Sequence, residues 1–461
     1  APTSPSAPRT SGSCTTRGIP RSLSKFEIFS QILLAVSGYS FIFAERHKNT
    51  IMLHQFTVGN YRSFYERRTF SMLAQGISEG PEDNVVPDGK YKVLRTAAVY
   101  GANSSGKSNL VSAMRAMQWT ILSSVRLNPS EKLRTYDPFL LNKSGRNEPT
   151  FFEVVFSTMG GVYRYGFTYD ASSIVEEWLF QVLKTKEQFL FVRNSDGVGV
   201  NEDVFEEGID KEKQTNPNRL FLSLCAQLGG KISSEVLGWF VNGLVVISGL
   251  NDWQYGDDTL DLFYRQDALV KPLMEFYDKL NLGFRDLVPR KEKSRFIQGP
   301  DVSSRVELYS VHNVYGKKGE VVGEERFYFQ SRESNGTKKL FNLSGVLFLA
   351  LQEGKTLVVD ELDSVMHPLI SQQLVMLFNS KEKNPNRSQL IFNTHDTHLL
   401  SARILRRDQI WFTEKNSCEV TDLYNMMDIV LPDGTKPRSD ANYEKNYIAG
   451  RYGAIPYILN E

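Results

Sequence analysis

The stretch "GANSSGKSNL", from Gly101 to Leu110, lies between an apolar run, "VLRTAAVY", and a helical pattern, "VSAMRAMQWTI". It matches the phosphate-loop pattern G-x-x-x-x-G-K-[ST] in full. Glycines let backbone N–H groups converge on phosphate oxygens, and the dipole of the following helix adds positive potential. A chance match is the alternative, but the flanking strand and helix are the context that such a loop requires. The stretch therefore predicts an α/β fold with a phosphate-binding loop.

The side chains of this loop suggest distinct roles. Lys107 is predicted to reach the β- and γ-phosphates of a nucleotide, and the Ser108 hydroxyl to ligate Mg²⁺. ATP and Mg²⁺ are therefore the expected ligands. The other predicted nucleotide contacts come from the loop and the start of its helix, at Gly101, Ala102, Asn103, Ser104, Ser105, Gly106 and Asn109.

A second motif, "KTLVVDELD", is a short β-branched run that ends in acids. This is the pattern of a buried parallel strand with carboxylates at its C-terminal end. Asp360 is predicted to hold Mg²⁺ through water, and Glu361 to polarise the attacking water as general base. The alternative is that these acids only cap the next helix.

A third strand pattern, "SQLIFNTHD", ends at His395, which lies 35 residues after Asp360. That distance accommodates one crossover helix, "PLISQQLVMLFNS", and a return strand. A histidine at this strand end is predicted to lie beside the γ-phosphate, where it would be catalytic. A lone histidine with a structural role is the alternative.

Composition and charge exclude few partners. The formal net charge is +1, from 54 basic and 53 acidic residues, so bulk charge indicates no particular partner. The cysteines Cys14, Cys225 and Cys418 are far apart and show no metal-ligand spacing. Dispersed cysteines in a nucleotide-binding chain are typical of a reducing compartment, and we expect a cytoplasmic protein.

The first 51 residues differ in composition from the rest. Residues 1–25 are rich in Ser, Thr, Pro and Arg without acids, and an apolar run follows from Ile28 to Ala44. A signal sequence, a transit peptide or a membrane anchor is one interpretation. Because the chain does not begin with Met and Met52 opens the strand pattern "MLHQFTVGNY", we instead interpret 1–51 as a disordered or non-native extension. We expect the nucleotide-binding domain to span 52–461, without membrane contact.

The motifs "GANSSGKSN", "VVDELDSVMHP" and "FNTHD" together resemble those of the ABC/SMC-type ATPase clade. The phrases "MLHQFTVGNYRSF", "PTFFEVVFSTMGGVYRYGF" and "GRYGAIPYI" are similar to those of standalone AAA-family ATPases of the RloA and AbiL kind, which include the ATPase of the PARIS anti-phage system. The resemblance implies an ABC/SMC-type P-loop ATPase head with a mixed β lobe. It also implies that two heads enclose ATP in a homo-oligomer, at least a dimer.

In that clade the second head offers a serine from an S-x-G-[QT] loop. "ESNGTKK" supplies Ser334 and Gly336, and "NLSGV" supplies Ser344. The loop must be followed by a helix of several turns and then the metal strand, and residues 338–352 supply such a helix for Ser334 only. We therefore expect Ser334 and Gly336 to contact the partner's nucleotide, although a plain turn is the alternative. Asp363 matches a residue that contacts the opposite head.

Two more sites follow from the resemblance. Asn60 and Arg62 in "GNYRSF" match a nucleotide-proximal element of the clade, although Arg62 is also explained as a solvated surface residue. The glutamine-bearing loop that is usual in the clade is not identifiable, because "YDPFLLNK" stands in its place without a Gln. The sequence therefore assigns no metal ligand from that side.

Between the motifs, helical apolar spacing without sustained heptads predicts a compact helical lobe inserted at about 206–293. Its basic end, "PRKEKSR", is more typical of a solvated face than of a nucleic-acid contact, so DNA binding stays open. Strand pairs are expected on both sides of the lobe, one around "MGG" and one around "YGKKGE".

For function, the resemblance implies an ATPase that acts as sensor or regulator in a two-component anti-phage, abortive-infection system. We expect a separately encoded effector, a toprim-type nuclease or another toxin, and a phage protein as trigger, because no metal-nuclease pattern follows "FTEKNSCEVTDLY". The alternative is a DNA-repair or recombination ATPase of the RecF or SMC sort that clamps DNA. Near-neutral charge weakly disfavours that alternative.

Overall fold

The computed structural model describes residues 51–77, 80–184, 186–247, 253–293, 304–401 and 403–456. The strands in these residues are β1 (Met52–Gly59), β2 (Arg68–Ser71), β3 (Val85–Asp88), β4 (Tyr91–Leu94), β5 (Thr96–Tyr100), β6 (Thr150–Thr158), β7 (Gly161–Tyr169), β8 (Ile174–Val182), β9 (Glu187–Asn194), β10 (Gly197–Val200), β11 (Leu244–Ile247), β12 (Asp286–Lys293), β13 (Ser304–Tyr315), β14 (Val321–Tyr328), β15 (Thr356–Val359), β16 (Gln389–Asn393), β17 (Ile410–Lys415) and β18 (Thr421–Asn425).

The α-helices are shorter in total and lie mostly in the second half of the chain. They are α1 (Lys107–Ser123), α2 (Phe221–Gln227), α3 (Lys231–Gly238), α4 (Trp253–Arg265), α5 (Val270–Lys279), α6 (Phe329–Arg332), α7 (Asn335–Glu353), α8 (Pro368–Asn379), α9 (His398–Ser401) and α10 (Tyr443–Ile448). No helix in the described part of the chain is both long and apolar enough to cross a membrane.

The central sheet carries the predicted motifs. Its order is β11-β15-β16-β5-β17-β18, and every neighbouring pair is parallel except β17 and β18. Every residue of β5, β15 and β16 is buried, which explains their continuous apolar runs. Because β5, β15 and β16 are parallel, the residues that follow them meet at one edge of the sheet. The predicted α/β fold class with a phosphate loop is confirmed.

The two faces of this sheet pack against different layers. Along β5, Ala97 and Val99 join one hydrophobic core while Ala98 and Tyr100 join the other. The first core contains α1 and the antiparallel sheet β10-β9-β8-β7-β6-β1-β2, and the second contains α5, α7 and α8. The alternation follows from the two-residue period of a strand. The central sheet therefore lies between an antiparallel β layer with α1 and a helical layer.

The strand-pair predictions are confirmed. β6 and β7 pair antiparallel from Thr158 opposite Gly161, so the Gly-Gly signal marks the turn. β13 and β14 form the second hairpin, which β12 extends to a three-stranded sheet. The helix expected after the Ser334 loop is α7, and the crossover helix before His395 is α8.

The prediction of one inserted helical lobe at 206–293 needs correction. Its helices are present, but β11 in the middle of the segment is an edge strand of the central sheet, paired with β15. The part before β11 packs on the antiparallel sheet, where Trp239 stacks on Phe156 at 4.4 Å between ring centroids. The part after β11 packs on α7 and ends in β12. Helical spacing does not reveal a four-residue buried strand, so the sequence pattern predicts a single helical lobe.

Two predictions rest largely on residues outside the described ranges. The extension proposed for 1–51 is described only at residue 51, and the basic segment 289–295 is described only to residue 293. Within that segment the Arg290 guanidinium lies 5.8 Å from the centre of the Tyr309 ring, so part of its charge stacks on the chain's own sheet.

Candidate nucleotide-binding site

The phosphate loop connects the end of β5 at Tyr100 to the start of α1 at Lys107. Gly106 has a φ of 114°, which side chains rarely adopt, and a β-carbon there would lie 2.6 Å from Cγ2 of Thr421. A β-carbon at Gly101 would lie 2.5 Å from the carbonyl oxygen of Thr413. Both glycines are therefore required by the packing of the loop against β17 and β18.

Two threonines that the sequence did not indicate form hydrogen bonds with the phosphate loop. Oγ1 of Thr413 lies 2.7 Å from Oγ of Ser105, and Oγ1 of Thr421 donates to the Ser105 carbonyl at 2.9 Å. Thr421 also lies 2.7 Å from Oγ of Ser63, which accepts from Asn109 at 2.7 Å. The threonines follow Ser105 by more than 300 residues, so no local pattern could have connected them with the loop.

The Lys107 side chain points back into the loop. It is 6% exposed, and Nζ donates to the carbonyls of Gly101 at 2.6 Å and Ala102 at 3.0 Å. Burial lowers the pKa of Lys107 to about 8, against the opposing effect of Asp360 and nearby acids. A desolvated ammonium of this kind gains strongly from an anionic ligand such as a triphosphate.

Ser108 and Asp360 meet across the sheet edge. Oγ of Ser108 donates to Oδ1 of Asp360 at 3.1 Å, although 252 residues separate them. The Asp360 backbone N–H donates to the carbonyl of Ile247 on β11 at 3.0 Å, which fixes the carboxylate above the sheet. A hydroxyl and a carboxylate are hard oxygen ligands, and a partly exposed pair of this kind suits Mg²⁺ with several retained waters. The donor set therefore fits the predicted metal.

The residues that follow Asp360 form a tight loop over the same edge. Glu361 has a φ of 53° and Val365 a φ of 65°, a conformation that is strained for residues with these side chains. Nζ of Lys339 on α7 donates to the Glu361 carbonyl at 3.2 Å. Among the described residues none hydrogen-bonds the Glu361 carboxylate. The contact with Lys339 stabilises the backbone and leaves that carboxylate available as a base.

Asp363 belongs to this loop, and His395 lies beside it. The His395 backbone N–H donates to Oδ2 of Asp363 at 3.1 Å, while Oδ1 of Asp363 is buried without a hydrogen-bond partner among the described residues. Burial, assisted by the Lys107 charge, lowers the pKa of His395 below its ordinary value of 6.5. The imidazole is therefore neutral near pH 7 and can donate from one nitrogen and accept at the other.

Comparison with known proteins adds the family. A family model described as "AAA domain, putative AbiEii toxin, Type IV TA system" matches residues 97–401, about two thirds of the chain. The chain belongs to this AAA-domain family. No curated protein matches the chain. The family supports a P-loop AAA-type ATPase that binds ATP, with a link to abortive-infection and toxin–antitoxin systems.

The matched part of this AAA domain contains the whole phosphate loop, Asp360 and His395. The match ends before β17 and β18, which provide Thr413 and Thr421. In this chain the phosphate loop is therefore completed by residues beyond the matched region.

The two serines that are candidates for the S-x-G-[QT] loop, Ser334 and Ser344, occupy different environments in the AAA domain. Ser334 is exposed at the N-terminus of α7, where its Oγ accepts from the Thr337 N–H at 3.1 Å. Ser344 is fully buried in the middle of α7, in contact with the Tyr277 hydroxyl, and cannot face another molecule. A β-carbon at Gly336 would lie 2.9 Å from the Val365 carbonyl, so the Ser334 turn packs directly on the loop that follows Asp360.

Asn60 lies in the interior of the fold. It is 4% exposed, and its amide donates to the carbonyls of Gly145 and Glu148 at 2.8 and 2.7 Å and accepts from the Phe139 N–H at 3.1 Å. The Asn60 amide therefore joins the backbone of three other residues, Phe139, Gly145 and Glu148. The geometry indicates a structural role for Asn60.

Arg62 remains at the surface beside α1. Its Nε donates to Oδ2 of Asp137 at 2.9 Å, and one terminal nitrogen donates to Oγ of Ser112 at 3.0 Å. The side chain is 42% exposed, so a phosphate contact would require it to leave these partners.

Within the phosphate loop, Asn103 and Ser104 are exposed.

Replacing Asn60 with alanine should destabilise the fold by about 3 kcal/mol, because three backbone groups, two of them buried, lose their partners. The midpoint of chemical denaturation measures this loss. Nucleotide affinity of the folded fraction should stay unchanged. A variant of full stability that binds ATP weakly would instead restore the nucleotide role expected from the sequence.

Proposed function

We propose that this AAA domain hydrolyses ATP at the edge formed by β5, β15 and β16. The observation that carries the proposal is the hydrogen bond from Ser108 to Asp360, because it brings the phosphate loop and the acidic strand end together. Lys107, less than one turn away, supplies the charge that the phosphates require.

Each residue has a role in this proposal. Lys107 exchanges its two carbonyl partners for phosphate oxygens, and Glu361 takes a proton from the attacking water. His395, neutral at pH 7, hydrogen-bonds the γ-phosphate. Mg²⁺ would be held by Ser108 and, through water, Asp360, where it would neutralise charge on the phosphates.

A second copy of the chain is proposed to complete the site. Ser334 sits exposed at the α7 N-terminus, where helix dipole and free N–H groups favour an anion. Val365, whose carbonyl packs against Gly336, is 65% exposed, and Leu369 on α8 is 62% exposed, which gives apolar surface that a second head would cover. Two heads related by a twofold axis would each offer Ser334 to the other's ATP.

Ser334→Arg should therefore block head engagement while leaving ATP binding by a single head intact. Hydrolysis should fall to the level of an isolated head, and light scattering should show only monomer with ATP. Ser331→Arg is the matched control, since Ser331 is also exposed but lies on the preceding helix, α6. Wild-type hydrolysis and wild-type assembly in the Ser334 variant would contradict the proposed interface.

We further propose that ATP binding and hydrolysis control a separately encoded effector in a two-component anti-phage system. The family's link to abortive infection supports this role. The effector is proposed to be a toprim-type nuclease or another toxin, and the trigger a phage protein. Conformational change between ATP states is then the output that the partner detects.

Plaque assays test this role. Cells that express the chain together with its candidate effector should restrict phage growth, and Lys107→Ala should remove the protection. If the chain alone protects fully, or if no partner co-purifies in any nucleotide state, the two-component role is wrong. ATP-dependent DNA binding without phage protection would favour the alternative, a DNA-clamping repair ATPase.

A further inference from the structure

A buried asparagine lies next to the proposed metal site, on the strand between the phosphate loop and the acidic strand. Asn393 is the last residue of β16 and is 1% exposed. Its Nδ2 donates to Oδ1 of Asp360 at 2.7 Å, the same oxygen that accepts from Ser108 at 3.1 Å. One carboxylate oxygen is thus hydrogen-bonded both from the start of α1 and from the end of β16.

The orientation of this amide follows from charge. The Asp360 carboxylate only accepts hydrogen bonds when ionised, so the amide nitrogen rather than the oxygen must face it. The Asn393 backbone carbonyl also accepts from the Leu362 N–H at 3.2 Å, which joins β16 to the loop that follows Asp360. Asn393 is therefore fixed on both its backbone and its side chain.

The other end of the amide has no such partner. Oδ1 of Asn393 is buried and accepts no hydrogen bond from the described residues. An unsatisfied buried acceptor is unfavourable, and a buried strand position of this kind is usually apolar. A donor supplied by a ligand would remove that cost, and water bound to a metal ion is such a donor.

We propose that Asn393 is a positioning residue for Mg²⁺. Its Nδ2 orients Asp360, and its Oδ1 accepts a hydrogen bond from a water of the metal. The proposal rests on the proposed ATP site and extends it to a residue that no sequence motif assigned. Partners of this kind typically change metal affinity or activity 10- to 100-fold when removed.

The test measures how much Mg²⁺ strengthens nucleotide binding. A fluorescent, non-hydrolysable ATP analogue is titrated in EDTA and in magnesium chloride. For each protein the Kd in EDTA is divided by the Kd in magnesium chloride. In Asn393→Leu this ratio should fall at least about 10-fold, with the Kd in EDTA unchanged. Electron paramagnetic resonance of Mn²⁺ should show a matching loss of bound metal.

Asn379→Leu is the matched control. Asn379 is also a buried asparagine, 6% exposed, but its Oδ1 accepts from Thr96 at the opposite end of β5. Its ratio should equal that of the wild type. If Asn393→Leu does not fold, Asn393→Ala serves in its place, since the smaller side chain removes the same two contacts.

The outcomes separate the two levels of the proposal. If the wild type binds no analogue, the ATP site itself is wrong. If the wild type binds with a clear Mg²⁺ effect and the Asn393 variant keeps the same ratio, only the role of Asn393 is overturned. Equal weakening in EDTA and in Mg²⁺ also overturns it, because that result indicates a general distortion of the loop.

Discussion

Lys107→Ala is expected to abolish ATP hydrolysis and to weaken ATP binding by at least about 100-fold. The ammonium would make charge-assisted hydrogen bonds to the β- and γ-phosphates, and two such bonds at about 1.5–3 kcal/mol each account for that loss. Isothermal titration with ATP and a phosphate-release assay measure both effects. The folded state should survive, because burial already disfavours the charged form of this lysine.

Lys355→Ala is the control for this variant. Lys355 precedes β15 at the opposite end of that strand and pairs with Glu353 at 2.6 Å, so its loss should leave ATP binding and hydrolysis unchanged. Near wild-type hydrolysis in Lys107→Ala would show that the reaction does not use this phosphate loop.

Glu361→Gln is expected to keep ATP bound while hydrolysis falls by about 10²- to 10⁴-fold. The amide preserves the shape of the side chain but cannot accept the proton of the attacking water. ATP-bound protein should therefore accumulate as a dimer or larger oligomer, which light scattering detects after addition of ATP. The contact from Lys339 is made to the Glu361 backbone, so the loop should keep its conformation in the variant.

Glu353→Gln provides the same chemical change on the exposed end of α7, where no effect on turnover is expected. Unchanged turnover in Glu361→Gln would place the general base elsewhere, and His395→Ala then tests the next candidate. A variant that neither hydrolyses nor assembles would contradict the ATP-sandwich part of the proposed function, because the trapped state should be the assembled one.

Local sequence was sufficient for the elements that carry the chemistry. The phosphate loop, the "VVDE" strand and the strand before His395 each combine an unbroken apolar run with polar residues at its end. Such runs identify buried parallel strands, and parallel strands place those ends at one sheet edge. The closeness of Ser108 and Asp360 therefore follows from these sequence patterns.

Local sequence was misleading where a short strand was hidden among helices. β11 has only four residues, "LVVI", within helical spacing, so its place beside β15 could not be read from periodicity. The match of Asn60 to a nucleotide-proximal element also predicts a nucleotide contact, whereas its amide joins three backbone groups, two of them buried. A motif records residue type and spacing, but it does not show which hydrogen bonds the residue already makes.

The sequence by itself determined the α/β class, the order of the nucleotide motifs and the position of Ser334 at the start of a long helix. Each of these depends on contiguous residues. Only the tertiary structure decided which distant side chains support those motifs. Thr421 beneath the phosphate loop, Lys339 on the Glu361 carbonyl and Asn393 on Asp360 all act across long chain separations. Side-chain hydrogen bonds have short range, so these pairs exist only once the packed sheet and helices bring their atoms within about 3 Å.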